Sequence, residues 1–245
     1  APDFVAPPAA AAVAAAAPLV ADPLAGASAA PAACPAGASC GTVTVPLDRA
    51  TPALGTTAVG YALLPRRDRS RPAAGTIVPN PGGPGAASQS PKQVERLFGR
   101  LRDDHDVLLF DPRGVGRSTP LQCPFPRDLA QHLDRLDAAV GACGRSLGAR
   151  AGAYGSAAVA DDLDAVRAQL GIERLTLFGE SYGTYLFSVY ARRHPERVAK
   201  LVMAGAYPLR FDTLGRDRAA ALRRAFGLVC ARDAAARRDA ARHAA

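Results

Sequence analysis

Ser181 is the residue with most chemistry to offer. It lies in Gly179-Glu180-Ser181-Tyr182-Gly183, the pattern G-x-S-x-G, after the apolar run "LTLF" and before "TYLFSVY". That context reads as a strand, a sharp turn and a helix. A serine on such a turn stands clear of the sheet edge. The helix that starts there points free N–H groups at any negative charge forming nearby. The flanking glycines are what a turn this tight requires, because side chains there would collide. The bland alternative is an ordinary turn serine. Glu180 beside the serine is read as part of substrate recognition or, in the structural reading, as a support for the turn.

Two further glycine loops follow predicted strands. "NPGGPG", residues 80–85, comes after "GTIV". Its glycines allow close backbone approach, so an amide at Gly82 or Gly83 could join the Tyr182 N–H in a two-donor oxyanion hole. A plain Pro/Gly turn is the alternative, and phosphate binding is disfavoured because no Gly-Lys-Ser/Thr follows. "DPRGVGRS", residues 111–118, comes after "DVLLF". Its G-x-G is too little for a dinucleotide site. Asp111 and Arg113 are expected to brace the loops around a substrate pocket.

The elements that would carry these loops alternate. "GTVTVPLD" and "TTAVGYALLP" read as a hairpin-like pair of strands. "GTIVP", "DVLLF", "RLTLFG" and "AKLVMAGAYP" read as further strands. Between them, Ser90 before Pro91 starts a helix expected to run through Asp104. A helical stretch is expected near residues 128–140. Val159, Leu163, Val166 and Leu170 mark an amphipathic helix ending at Gly171. Another helix leads from Tyr182 to Pro195. Alternating strands and helices predict an α/β fold with a mainly parallel sheet and functional loops at the carboxyl ends of its strands. Residues 1–40 are an Ala/Pro-rich arm that cannot pack a core, 41–208 the α/β core, and 209–245 a helical segment.

The net charge of +8 over 245 residues comes mostly from arginines mixed with Asp and Glu. It reads as solvated helix faces rather than a nucleic-acid surface. No apolar run is long enough to span a membrane. The cysteines lack C-x-x-C spacing, so neither metal nor cofactor is indicated. Cys34 with Cys40, and Cys123 with Cys143, are spaced as two disulfides of an exported, secreted protein, leaving Cys230 over. Free thiols in a cytosolic protein are the alternative.

In order, "NPGGPG", "FDPRGVGRS", "LFGESYGTYL" and "ARRHPERVAKLVMAGAYP" resemble the α/β-hydrolase fold. More narrowly they resemble its tripeptidyl-aminopeptidase and prolyl-aminopeptidase (proline iminopeptidase) branch, over about residues 41–229. The resemblance implies an acyl-forming nucleophile at Ser181, oxyanion amides at Tyr182 and Gly83 or Gly82, and short peptide substrates with free amino ends. Where the branch often has His before "GGPG", this sequence has Asn80-Pro81. It also implies an acid and then a histidine after the serine. His105 and His132 precede it. His194 lies thirteen residues along the helix, about 20 Å away at 1.5 Å per residue, and reads as its cap. His243 sits in an Ala/Arg tail. Asp212, Asp217, Asp233 and Asp239 lie in the same tail, which resembles the start of a helical cap or lid. The expectation is an N-terminal part of the fold, incomplete at its C-terminal side, whose acid, base and Cys230 partner lie in a missing C-terminal part or second chain. An esterase or lipase-like enzyme and a non-catalytic hydrolase-like binding fragment are the alternatives.

Overall fold

The computed structural model describes residues 33–121, 123, 135–209 and 216–232. Its centre is a six-stranded sheet in the order β1-β2-β4-β3-β5-β6. Strands β1 (Ser39–Pro46) and β2 (Thr56–Leu64) pair antiparallel, and β2 pairs antiparallel with β4 (His105–Phe110). From β4 onward every pairing is parallel, through β3 (Gly75–Asn80), β5 (Leu175–Glu180) and β6 (Val198–Ala204). The sheet is therefore mainly parallel with an antiparallel flank, as the alternating elements implied.

The central strands are apolar at consecutive positions because both of their faces are covered. In β4, Leu108 and Phe110 join a core with Val78, Leu177, Val159, Leu163, Leu186 and Phe187. This core lies beneath α3 (Ser156–Gln169) and α4 (Tyr182–Arg193). Val107 and Leu109 face the opposite way and pack with Ile77, Val94 and Phe98 against α1 (Pro91–Phe98). Side chains alternate across a strand, so one four-residue run feeds two cores.

Helix α1 starts as expected. Ser90 caps it, accepting from the Gln93 N–H while the Gln93 side chain accepts from the Ser90 N–H, and Pro91 occupies the first turn. It ends earlier than expected. At Gly99 the backbone turns to positive φ and the chain finishes in a 3-10 turn, Gly99–Asp103. Buried Arg102 anchors that turn to the carbonyls of Pro65 and His105. Helix α2 spans Leu136–Leu147, and the earlier part of the helix expected near 128–140 lies outside the described residues. Disulfides join Cys34 to Cys40 and Cys123 to Cys143, and Cys230 is a free thiol.

Strand β6 differs from its neighbours. Val202 and Met203 are each 47 % exposed, whereas Leu175 and Leu177 of β5 are fully buried. Among the described residues no strand pairs with the outer edge of β6. Helix α5 (Arg216–Arg232) likewise has Leu222, Phe226 and Val229 exposed. Among the described residues, no helix is long and apolar enough to cross a membrane.

Candidate active site

Strands β3, β4 and β5 bring three loops to one edge of the sheet. Ser181 follows the last residue of β5 and precedes the first of α4, at φ 51° and ψ −122°. It is the one non-glycine residue with positive φ among those described. Such a conformation costs about 1–3 kcal/mol and persists only where its surroundings impose it. Here they do. The Ser181 N–H donates to the Ala204 carbonyl at the end of β6, and the Ser181 carbonyl accepts from both the N–H and the Oγ1 of Thr184. The side chain is exposed, and among the described residues nothing hydrogen-bonds its hydroxyl.

Close approach explains the two glycines of the motif. A Cβ on Gly179 would lie 2.6 Å from the Gly183 carbonyl group, and one on Gly183 would lie 2.6 Å from the Asn80 carbonyl oxygen. The elbow is thus pressed against the first residue of the "NPGGPG" loop. That loop runs beside the serine: a Cβ on Gly82 would fall 3.0 Å from the Ser181 Cβ and 3.3 Å from the Tyr182 nitrogen. The two segments expected to form an anion cradle are neighbours. Their amides differ in availability. The Gly82 N–H donates to the Asn80 side-chain oxygen at 2.9 Å. No described residue accepts from the Gly83 or Tyr182 N–H.

Asp111 and Arg113 act from below the site. Asp111 is wholly buried, and its carboxylate accepts from the Ser88 N–H (2.7 Å), the Arg117 N–H (2.8 Å) and the Arg117 guanidinium (2.9 Å). It ties the two glycine loops together and leaves no oxygen for a substrate. The Arg113 side chain is also buried, and its guanidinium faces Asp162 in two hydrogen bonds of 2.6 and 2.7 Å. It also donates to the carbonyls of Leu47 and Ala153, joining the segment after β1, the turn before α3 and the loop after β4. Arg49 adds a third hydrogen bond to Asp162 at 3.0 Å. Sequence reasoning missed Asp162. The signal was there: Asp162 lies on the helix face marked by Val159, Leu163 and Val166, where an acid must be paired. Glu180 is half-buried at the end of β5, and no described residue pairs with it.

The histidines stand elsewhere. His105 begins β4, at the opposite end of the parallel strands from Ser181. It is half-buried against Asp104. His194 caps α4 through its N–H to the Tyr190 carbonyl, and its ring meets Asp161 at 3.0 Å. Burial alone would raise the Asp161 carboxyl, but hydrogen bonds from Arg193 and His194 hold it below the ordinary aspartate range. Asp164 is likewise held low against burial by Arg167 and Tyr190. Burial and the Asp164 charge push the Tyr190 phenol upward. His132, His243, Asp212, Asp233 and Asp239 lie outside the described residues, as does the side chain of Asp217.

A parallel sheet with helices on both faces, and a strained serine between strand and helix, define a hydrolase-type scaffold. Residues 75–237 match the family profile described as alpha/beta hydrolase fold, and the chain belongs to that family. It is 33% identical over 197 residues to serine protease Hip1 of Mycobacterium tuberculosis (strain ATCC 25618 / H37Rv), covering 70% of this chain and 36% of that protein. It is 31% identical over 185 residues to tripeptidyl aminopeptidase of Streptomyces lividans, covering 67% of this chain and 34% of that one. Proline iminopeptidase of Xylella fastidiosa (strain 9a5c) is 30% identical over 132 residues, 53% of this chain and 31% of that protein. The chain thus spans about a third of the length of the curated relatives it matches. These relatives are peptidases of the α/β-hydrolase fold, the branch that the motifs resembled.

Proposed function

We propose that the protein is a serine aminopeptidase that removes short peptides from free N-termini through an acyl-enzyme on Ser181. The observation that carries this reading is the exposed serine held at φ 51° between β5 and α4, beside the glycine loop. The Ser181 oxygen attacks the scissile carbonyl carbon and its proton passes to a general base. The carbonyl oxygen, now negative, is held by the N–H groups of Tyr182 and Gly83. We assign the second donor to Gly83 rather than Gly82 because the Gly82 N–H already has an acceptor in Asn80. The C–N bond then breaks, the amine leaves with the proton from the base, and water releases the acyl group by the reverse sequence.

The described histidines do not reach Ser181. We therefore assign the acid and the base to polypeptide outside the described residues, either a C-terminal continuation or a second chain. The unpaired edge of β6 and the exposed stripe on α5 support this reading, since a further strand and a cap would cover both. The free thiol of Cys230, which is partly buried, suits a link to that part. The two disulfides support export to an oxidising compartment. The test is a fluorophosphonate probe on the full-length protein, with the adduct mapped by mass spectrometry. The expected adduct is on Ser181 and disappears in Ser181→Ala; labelling that survives the substitution refutes the assignment. Aminoacyl amides against simple esters of the same acyl group then separate a peptidase from an esterase.

A further inference from the structure

A cavity of about 260 Å³ opens beside the elbow, and its wall includes Gly82 and Tyr182, the neighbours of Ser181. Most of the remaining wall is apolar, with Pro84, Ala86, Pro112, Val115, Leu121 and Tyr154 among its residues; Asn80 adds a polar side chain, whose oxygen accepts from the Gly82 N–H. Its volume falls below the roughly 300 Å³ at which ordinary whole-ligand clefts begin, so it holds one side chain rather than a whole peptide.

Its charges are all spent elsewhere. Arg113 contributes to the wall, but its guanidinium is turned into Asp162 and the carbonyls of Leu47 and Ala153. The Asp111 carboxylate is occupied by Ser88 and Arg117. The Tyr182 hydroxyl is paired with the Ser156 hydroxyl at 2.7 Å. Among the described residues, no carboxylate and no uncommitted cation lines the cavity. A charged side chain entering it would lose its water and meet no counter-ion. An apolar one would exchange water for proline, alanine, valine, leucine and aromatic surface.

We propose that this cavity is the subsite for the side chain adjoining the scissile carbonyl, and that it takes uncharged apolar side chains up to the size of leucine or phenylalanine. The proposal rests on the peptidase reading above and names its substrate class. The loop of Pro112 and Val115 is anchored by the buried Asp111 and Arg113, and the Leu121 N–H donates to the Gly114 carbonyl at 3.0 Å.

The experiment is a ¹H–¹⁵N titration of the full-length protein with N-acetyl-leucinamide, N-acetyl-lysinamide and N-acetyl-aspartamide. The leucine amide should shift the amides of residues 82–86 and 114–115 and bind at least tenfold more tightly than either charged amide. Val115→Trp, or Leu121→Trp if the first fails to fold, should fill the cavity and weaken leucinamide binding at least tenfold. Equal binding of the charged amides, no shifts at these residues, or full binding in a folded tryptophan variant would overturn the proposal. The outcome is separable from the parent reading. Leucinamide binding with no fluorophosphonate adduct on Ser181 of the full-length protein sinks the peptidase and leaves an apolar pocket. An adduct with indifference to side-chain charge sinks the subsite alone.

Discussion

Asp162→Ala should be among the most damaging single substitutions in the described core. The carboxylate takes three hydrogen bonds from two guanidinium groups, at 2.6, 2.7 and 3.0 Å. The Arg113 and Asp162 side chains are both fully buried, so removing the acid leaves a buried cation without its counter-charge. Breaking such a pair from one side costs about 3–5 kcal/mol. The Leu47 and Ala153 carbonyls still accept from Arg113, and Arg49 can turn to solvent, which places the loss near the lower end, about 3 kcal/mol. At about 2–4 °C per kcal/mol for a chain of this size, the melting temperature should fall by roughly 6–12 °C. Denaturant titration with unchanged m-value measures the same quantity. Asp103→Ala is the control. Its partner Arg67 and Asp103 itself are both about half exposed, so the change should be below about 1 kcal/mol. The double variant Arg113→Met with Asp162→Leu should recover most of the loss, because an apolar replacement of both charges leaves none stranded. A loss below about 1 kcal/mol in Asp162→Ala, or a double variant no better than the single, would refute the reasoning.

Three other outcomes follow from the geometry. Ser181→Gly should raise stability by about 1 kcal/mol, since glycine tolerates φ 51°, while Ser181→Ala should not; denaturant midpoints distinguish them. Asn80→Ala frees the Gly82 N–H and loosens the loop that carries Gly83, so the rate of Ser181 phosphonylation in the full-length protein should fall by up to about 10² with the fold retained. Asp161 and Asp164 have carboxyls held below the ordinary value of 3.8, so their contribution is complete above that value and lost as pH falls through the lower folded values. Melting temperature against pH should therefore drop below about pH 4, and Asp161→Asn with Asp164→Asn should flatten that part of the curve.

Much of this arrangement was legible before any coordinates. The alternation of β-branched runs with amphipathic stretches gave the order of strands and helices, and Ser90-Pro91 gave the start of α1. The serine elbow was legible because its spacing and its flanking elements agree. His194 was legible as a cap because Pro195 stops the helix beside it. What failed was tertiary. The expected end of α1 ignored Gly99, where positive φ outweighed the charged residues that follow. The choice proposed between Gly83 and Gly82, left open by the spacing, rests on one hydrogen bond from the Gly82 N–H to the Asn80 side chain. Arg113 and Asp162 are forty-nine residues apart, and only the packing of α3 on the sheet brings them together.

The Cys123–Cys143 bond has a consequence for selectivity. Leu121, two residues before Cys123, forms part of the cavity wall, and the disulfide fastens that stretch to α2. Cleaving it with a reductant would remove the covalent tie between the stretch after Leu121 and α2. If the cavity is the subsite proposed above, its preference for leucinamide over bulkier amides should narrow in reductant and return on reoxidation.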